Sequence, residues 1–436
     1  MTGIEELARP IRERSVRLDS LDPFLGQVAE SRYVLLGEAS HGTHEYYAWR
    51  SKISRRLIEE KGFRFIAVEG DWPACYEINR YVKGWSDAST AYEVLSQFDR
   101  WPTWMWANWE VVELAEWLRD YNRRLPGARK VGFYGLDVYS LWESIEAVLR
   151  HLQENHPHAL PQAHEALQCF EPFNRDVQTY AWSTRVTPDD CEEEVVGLLR
   201  SMRSLPAMYP DDPESHFNAE QNAEVAVGAE RYYRAMMAAS NESWNIRDTH
   251  MADTLDRLVA YHEGRHGGPC KAVVWEHNTH IGDARATDMA AAGMTNIGQI
   301  ARERHLDDGV VLAGFGSYEG SVVAGESWGA PMEKMQVPKA RDGSWEQLFH
   351  DAAGGEDRFL DTRALLGDQR FRAPRGHRAI GVVYHPERER YGNYVPTDLP
   401  LRYDAFFFID ETQALHPLHI EAHAKPEPPE TYPWGV

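Results

Sequence analysis

Short apolar runs recur along the chain at Tyr33–Leu36, Phe63–Val68, Lys130–Gly135, Ala272–Trp275, Val310–Phe315, Ala379–Tyr384 and Ala405–Ile409. Most are apolar throughout rather than alternating, the pattern of strands covered on both faces. The stretches between them carry helical periodicity instead. In Thr43–Lys61, Tyr46, Arg50, Ile53 and Leu57 fall on one face, while Lys52, Arg55, Arg56 and Glu59 fall on the other. Gly62 follows as the residue that ends the helix. Strand, helix and strand at about 30-residue spacing predict βαβ units. The expected fold class is therefore α/β, with a mostly parallel central sheet flanked by helices.

The middle of the chain reads differently. From 72 to 266 it is mostly helical, with stripes in Asn108–Arg124 (Val111, Val112, Leu114, Ala115, Leu118), Gln221–Ala239 and His250–His262. The expected organisation is an α/β core from 1–71 and 267–436, with a further core strand near 129–137. A large helical insertion, 72–266, forms a lobe over the active-site edge. No linker, repeat or low-complexity tract divides the chain, and the His/Pro-rich tail after Thr412 reads as a loop.

Charge and cysteine content narrow the partners. The 436 residues carry 46 Lys+Arg against 68 Asp+Glu, a formal charge of −22. A nucleic-acid grip needs a basic face, so neither nucleic acid nor an anionic membrane is expected as a partner. The chain can bury about three-quarters of its unfolded surface, so no metal or disulfide staple is required. Cys75, Cys169, Cys191 and Cys270 have no ligand spacing and read as reduced thiols. The N-terminus lacks an apolar signal region, and no window reaches about 18 uncharged apolar residues. A cytoplasmic protein is expected.

The chemistry gathers where the predicted strands end. Gly37-Glu38-Ala39-Ser40-His41 follows the first, Glu69-Gly70-Asp71 the second, and Gly135-Leu136-Asp137 closes the third. The fourth runs into Glu276-His277-Asn278-Thr279-His280, and the fifth into Gly314-Phe315-Gly316-Ser317. Parallel sheets form their sites beyond the carboxyl ends of the strands, so these groups converge on one edge. His41 suits a general base, with Glu38 orienting it. Taken singly, each is also a solvated turn residue; their convergence favours a site. Arg50 sits on the inward helical stripe and needs a carboxylate, for which Glu69 is the expected partner. His277 and His280 suit proton donors or carbonyl polarisers. A divalent metal held by these histidines and carboxylates is a weaker alternative, because neither HExxH nor a cysteine-rich spacing is present. No G-x-S-x-G surrounds Ser40, which weakens a serine nucleophile. Trp101, Trp104, Trp106 and Trp109 read either as core or as an apolar wall. For substrate contact we single out Trp104, Trp106, Asn108, Asn222, Tyr233 and Arg247; an internal hydrogen-bond network is the plainer reading of the polar members.

These residues lie in LLGEASHGTHEYYAWRSKISRRLIEEKGFRFIAVEGDW, PTWMWANWEVVELAEWLR, WNIRDTHMADTL, VVWEHNTHIGD and YDAFFFIDETQALHPL, through which most of the chain resembles the erythromycin esterase family. The resemblance implies catalytic roles for Glu38, His41, Arg50, Glu69, His277 and His280, and a histidine-activated water without an obligatory metal or other cofactor. It implies hydrolysis of a small-molecule ester or lactone, with a macrolide among the candidates, while antibiotic resistance does not follow from the catalytic set. Relatives also carry names from succinoglycan biosynthesis, so the motifs concern machinery more than substrate. In the expected mechanism His41 deprotonates water, Arg50 or His280 steadies the oxyanion, and His277 protonates the leaving alkoxide. Alternatives are acyl transfer, cyclisation or amide hydrolysis in a biosynthetic pathway, a metal-dependent hydrolase using the same cluster, and a non-catalytic protein that binds a bulky ligand in the tryptophan-lined cleft.

Overall fold

In the computed structural model, which describes residues 3–173, 175–186, 190–207, 212–236 and 241–419, the apolar runs assemble into a nine-stranded sheet. In chain order the strands are β1 (Val16–Arg17), β2 (Tyr33–Leu36), β3 (Phe65–Asp71), β4 (Gly132–Asp137), β5 (Ala272–Trp275), β6 (Val310–Gly325), β7 (Met332–Val337) and β8 (Arg358–Asp361). A separate hairpin of β9 (Arg375–Arg378) and β10 (Tyr394–Thr397) precedes β11 (Ala405–Thr412). The order is β1-β8-β11-β6-β2-β5-β3-β4, with β7 paired to the far end of β6. From β11 to β4 every pairing is parallel; β1, β7 and β8 join antiparallel.

The wholly apolar runs have a direct explanation. Successive side chains of a strand point to opposite faces. Val34 and Leu36 of β2 enter one apolar layer with Ile66, Val68 and Trp275, whereas Tyr33 and Leu35 enter the other with Phe65, Ala67 and Val274. Both faces are dry, so neither can alternate with polar residues. The helix His44–Lys61 lays Tyr46, Tyr47, Ile53 and Leu57 on the first layer, and Gly62 ends it at φ 74°.

The segment 72–266 divides by its packing. Helices Trp72–Lys83 and Trp109–Asn122 lean on the sheet, as does Glu242–His266 through Met251, Leu255 and Leu258. Leu141–Asn155, Leu160–Phe170, Glu192–Ser204 and Ser215–Met236 instead share a third apolar cluster of their own. Gln221–Ala239 was expected as one helix; it starts earlier, at Ser215, and 237–240 fall outside the described residues.

Three sequence expectations are corrected. β6 does not end at Phe315 but runs on through Gly314-Phe315-Gly316-Ser317. Those glycines mark close packing rather than a turn: a Cβ at either would stand 2.7 Å from the ring of Tyr403 or Phe406. Ala379–Tyr384 is no strand; isolated bridges, Ser40↔Ile380 and Gly325↔Val383, and hydrogen bonds between Ala379 and Asn393 hold it. There it braces the turn that carries Ser40, with Ile380 N–H donating to the Ala39 carbonyl at 2.8 Å. Cys169 and Cys191, 22 residues apart, are joined by a disulfide across packed helices of the third cluster. Only Cys75 and Cys270 remain free, so the cytoplasmic expectation loses the support it drew from reduced thiols. Among the described residues no helix is long and apolar enough to cross a membrane. The tail up to His419 is held by bridges from Ala414 to Thr43 and from Pro417 to Asn108.

The disulfide sets a simple expectation. Unfolded without reductant, the chain exposes two reactive thiols, Cys75 and Cys270, and all four after reduction. Titration with a chromogenic disulfide reagent measures this, and four thiols before reduction would refute the pairing.

Candidate active site

Four adjacent parallel strands, β2, β5, β3 and β4, deliver their carboxyl ends to one place. Asn278 stitches these ends together. Its N–H donates to the Glu38 carbonyl at 2.8 Å, and its amide both donates to the Phe315 carbonyl and accepts the Phe315 N–H, at 2.7 and 3.2 Å. Gly37 permits this approach, because a Cβ there would lie 2.1 Å from Asn278 Oδ1.

The turn after β2 carries Glu38 and His41, both buried. Glu38 Oε1 lies 2.8 Å from His41 Nδ1, and its other oxygen accepts from Arg50 Nη2. Arg50 is fully buried, with its guanidinium 4.4 Å above the Tyr47 ring and 4.8 Å from that of Trp275. The expected pairing of Arg50 with Glu69 is therefore corrected. The helix places Arg50 beside the β2 turn, and Glu69 has a different cation.

That cation is Arg247. Its Nε and Nη2 grip Asp137 at 2.9 and 2.6 Å, and Nη2 also donates to Glu69 Oε1 at 2.8 Å. Glu69 Oε2 accepts the His277 N–H at 2.9 Å. Burial works to raise the Glu69 pKa, but the cationic His280 and Arg247, with the His277 N–H, outweigh it and hold it well below the ordinary carboxylate range.

His280 stacks on Trp244 at 4.5 Å, with Nδ1 3.0 Å from both Asp248 oxygens. Burial disfavours its charged form, yet Asp248 and Glu69 prevail and raise its pKa. Burial raises Asp248 as well, against the pull of His280 and Arg247. We assign imidazolium and carboxylate, because Asp248 also accepts the Ile297 N–H at 2.9 Å, a bond that favours the anion. Arg247 Nη1 stands 3.2 Å from His280 Nε2, a contact of two cations that Glu69 Oε1, close to both, makes tolerable.

His277 caps the short helix Asn278–Ile281, its Nδ1 accepting the Thr279 N–H at 3.3 Å with Thr279 Oγ1 at 2.8 Å. These partners assign the proton to Nε2, which is buried and has no hydrogen-bond partner. Burial first, and His41 second, push its pKa well below the usual value against Glu69 and the Ala39 carbonyl. Its ring centroid lies 4.9 Å from that of His41. Glu276 is the outlier: both its oxygens are buried without a partner, and burial, Glu69 and Asp248 raise it far above the carboxylate range.

His41, Glu69, Asp137 and Arg247 border a cavity of about 280 Å³. Trp101, Met105, Trp106 and Trp328 wall it, with Trp101 and Trp328 rings 4.4 Å apart. That volume sits at the lower edge of the roughly 300–1,000 Å³ of ligand pockets, enough for a reacting group and one apolar flank. Of the residues singled out for substrate contact, Trp106 and Arg247 line it. Trp104 is wholly buried behind Trp101, and Asn108 caps the helix Trp109–Asn122 by accepting the Val111 N–H at 2.8 Å. Tyr233 donates to the Tyr139 carbonyl at 2.8 Å, and Asn222 borders a neighbouring cavity. The strand-end pattern points to Asp137 and Glu276 at this edge without giving either a role, and Asp248 carries no such signal. Asp137 had the clearest signal, a carboxylate at a strand end like Glu69.

The erythromycin esterase family model matches residues 58–412. The chain belongs to the erythromycin esterase family. An Escherichia coli relative described as erythromycin esterase type II is 28% identical over 120 residues, a match spanning 28% of this chain and 26% of that protein. A solved succinoglycan biosynthesis protein shares the fold at TM-score 0.73 and 21% identity, over 95% of this chain and 99% of its own. A substituted erythromycin esterase EreC, in its open conformation, aligns at TM-score 0.65 and 17% identity over 94% and 99%. The match covers about a quarter of the Escherichia coli relative's length, so family membership supports an esterase-like reading without fixing the reaction or the substrate.

The protonation of Glu276 carries a stability signature. Its folded pKa is raised, so the native state holds a proton that the unfolded chain releases above pH about 4.3. Wild-type stability then falls as pH rises through that value, by up to about 1.4 kcal/mol per pH unit. Glu276→Gln has no such proton, so its stability relative to wild type should climb from pH 5 to pH 7. Urea unfolding at the two pH values tests this, and a constant difference would refute a neutral Glu276.

Proposed function

We propose that this chain hydrolyses a carboxylic ester or lactone with a bulky apolar flank, using water activated by His41. The observation that carries the reading is the chain from Arg50 to Glu38 to His41, whose link at His41 Nδ1 measures 2.8 Å. Glu38 accepts the hydrogen bond from Nδ1–H, which leaves the Nε2 lone pair for a water in the cavity that His41 borders. As His41 removes a proton, the hydroxide oxygen bonds to the ester carbonyl carbon and the carbonyl becomes an oxyanion. Collapse of that intermediate breaks the bond to the alkoxide, which takes the proton back from His41. The products are one acid and one alcohol, and His41 is again neutral.

His277 stands against His41 and is not on the cavity wall, so we give it no leaving-group role; it serves the oxyanion only if substrate binding opens a path to Nε2. A neutral imidazole with its proton on Nε2 is a good hydrogen-bond donor and a poor acid, and Nε2 is the nitrogen left without a partner. Arg50 acts through Glu38, and Arg247 holds Glu69 and Asp137, so we assign both to positioning. Three or more ligand groups within 4.8 Å occur among the described residues at two places, both formed by other residues than these. The tryptophan wall supports a large apolar flank, a macrolide among the candidates.

His41→Asn should lower kcat by about 10²–10⁴-fold on ester substrates with the fold intact by circular dichroism. Glu38→Gln keeps the side-chain shape but alters what meets Nδ1, so it should lower kcat similarly with little change in KM. Steady-state assays over ester, lactone and macrolide panels check both, and near-wild-type kcat in His41→Asn would sink the assignment.

A further inference from the structure

A second histidine cluster stands apart from the ester site. His151 lies near the end of helix Leu141–Asn155, His156 closes that helix, and His216 lies in the first turn of Ser215–Met236. Each offers a ring nitrogen, and the three nitrogens lie within 4.8 Å of one another. Buried imidazoles are ordinarily hydrogen-bonded. Here Nε2 of His151, Nε2 of His156 and Nδ1 of His216 are all buried without a partner. The other such grouping, His44, Glu110 and His416, differs, because Glu110 Oε1 already takes Nδ1 of both histidines at 2.6 Å.

We propose that His151, His156 and His216 form a binding site for a divalent transition-metal ion such as zinc. Three imidazoles suit zinc, nickel or copper, with a fourth position left to solvent. Nitrogens on a tetrahedral zinc at about 2.0–2.1 Å stand about 3.3–3.4 Å apart, so the rings close inward onto the ion. Burial and the two neighbouring histidines push His151 down to about 4, and burial lowers His216, so both are neutral at pH 7. Neutral imidazole is the form that ligates. Zinc on His151 Nε2 puts its proton on Nδ1, 3.4 Å from the Asn155 amide nitrogen, which also donates to the His151 carbonyl at 3.1 Å, so the Asn155 side chain moves aside when the ion binds. His151 opens onto a cavity of about 370 Å³ whose wall carries Glu77, Glu154 and Asp212 together with Arg80 and Arg150, and through which solvent ions reach the cluster. That cavity shares Pro73, Glu77 and Arg150 with the ester cavity, so the ion would sit beside the lobe's contact with the site.

The test uses the full chain, stripped by chelation and titrated with zinc alone. We expect one zinc per chain, and a zinc X-ray absorption spectrum of three imidazole nitrogens at about 2.0–2.1 Å. His156→Ala should weaken binding by at least about tenfold, while His416→Ala leaves it unchanged. No uptake at millimolar zinc overturns the proposal. So does a carboxylate- or sulfur-dominated shell in the unaltered protein, a reading that holds even if His156→Ala fails to fold. Zinc lost in His416→Ala or His41→Asn but kept in His156→Ala also overturns it.

Discussion

Everything at the sheet edge depends on keeping carboxylates charged in a dry place. Removing an ion from water costs several kcal/mol, and a close cation at an effective dielectric near 20 returns about 4 kcal/mol at 4 Å. The site therefore needs each carboxylate to meet a cation and further donors. Glu38 has Arg50 and His41; Glu69 has Arg247, His280 and a backbone N–H. Asp137 has a two-point grip from Arg247, and Asp248 has His280. Glu276 has no cation and is held neutral instead.

The arrangement leaves the edge with Glu38, Glu69, Asp137 and Asp248 negative against Arg50, Arg247 and His280. One negative charge remains, and His41 faces it. In the proposed reaction the proton taken from water sets an imidazolium beside that remaining charge while the new negative charge passes to the substrate oxygen, so the pairing that permits burial also favours proton transfer to His41. Because the donors sit on strand ends stitched by Asn278, little reorganisation accompanies that step.

The carboxylates at the sheet edge are legible in the chain because a strand buried on both faces must be wholly apolar, and its end is then marked by the first charged residue. Glu38, Glu69, Asp137 and Glu276 all follow from that boundary. Their partners were not legible. Arg50 reads as inward from its helical register, but whether it meets Glu38 or Glu69 depends on how the helix His44–Lys61 crosses the sheet. Arg247 lies 110 residues after Asp137 and 178 after Glu69, on the same helix as Asp248, and nothing local ties either residue to Glu69. The glycines of β6 misled for a related reason: a missing Cβ looks the same whether the backbone turns or an aromatic ring packs against it.

Periodicity and composition were enough for the α/β class, the parallel centre of the sheet, and the edge where chemistry collects, since these follow from which short segments can be dry. Tertiary structure alone chose the charge partners, the Cys169–Cys191 pairing, the length of β6, and the neutrality of Glu276 and His277. Those outcomes depend on distances between segments far apart in the chain and on how completely water is excluded, and neither quantity is written in local sequence.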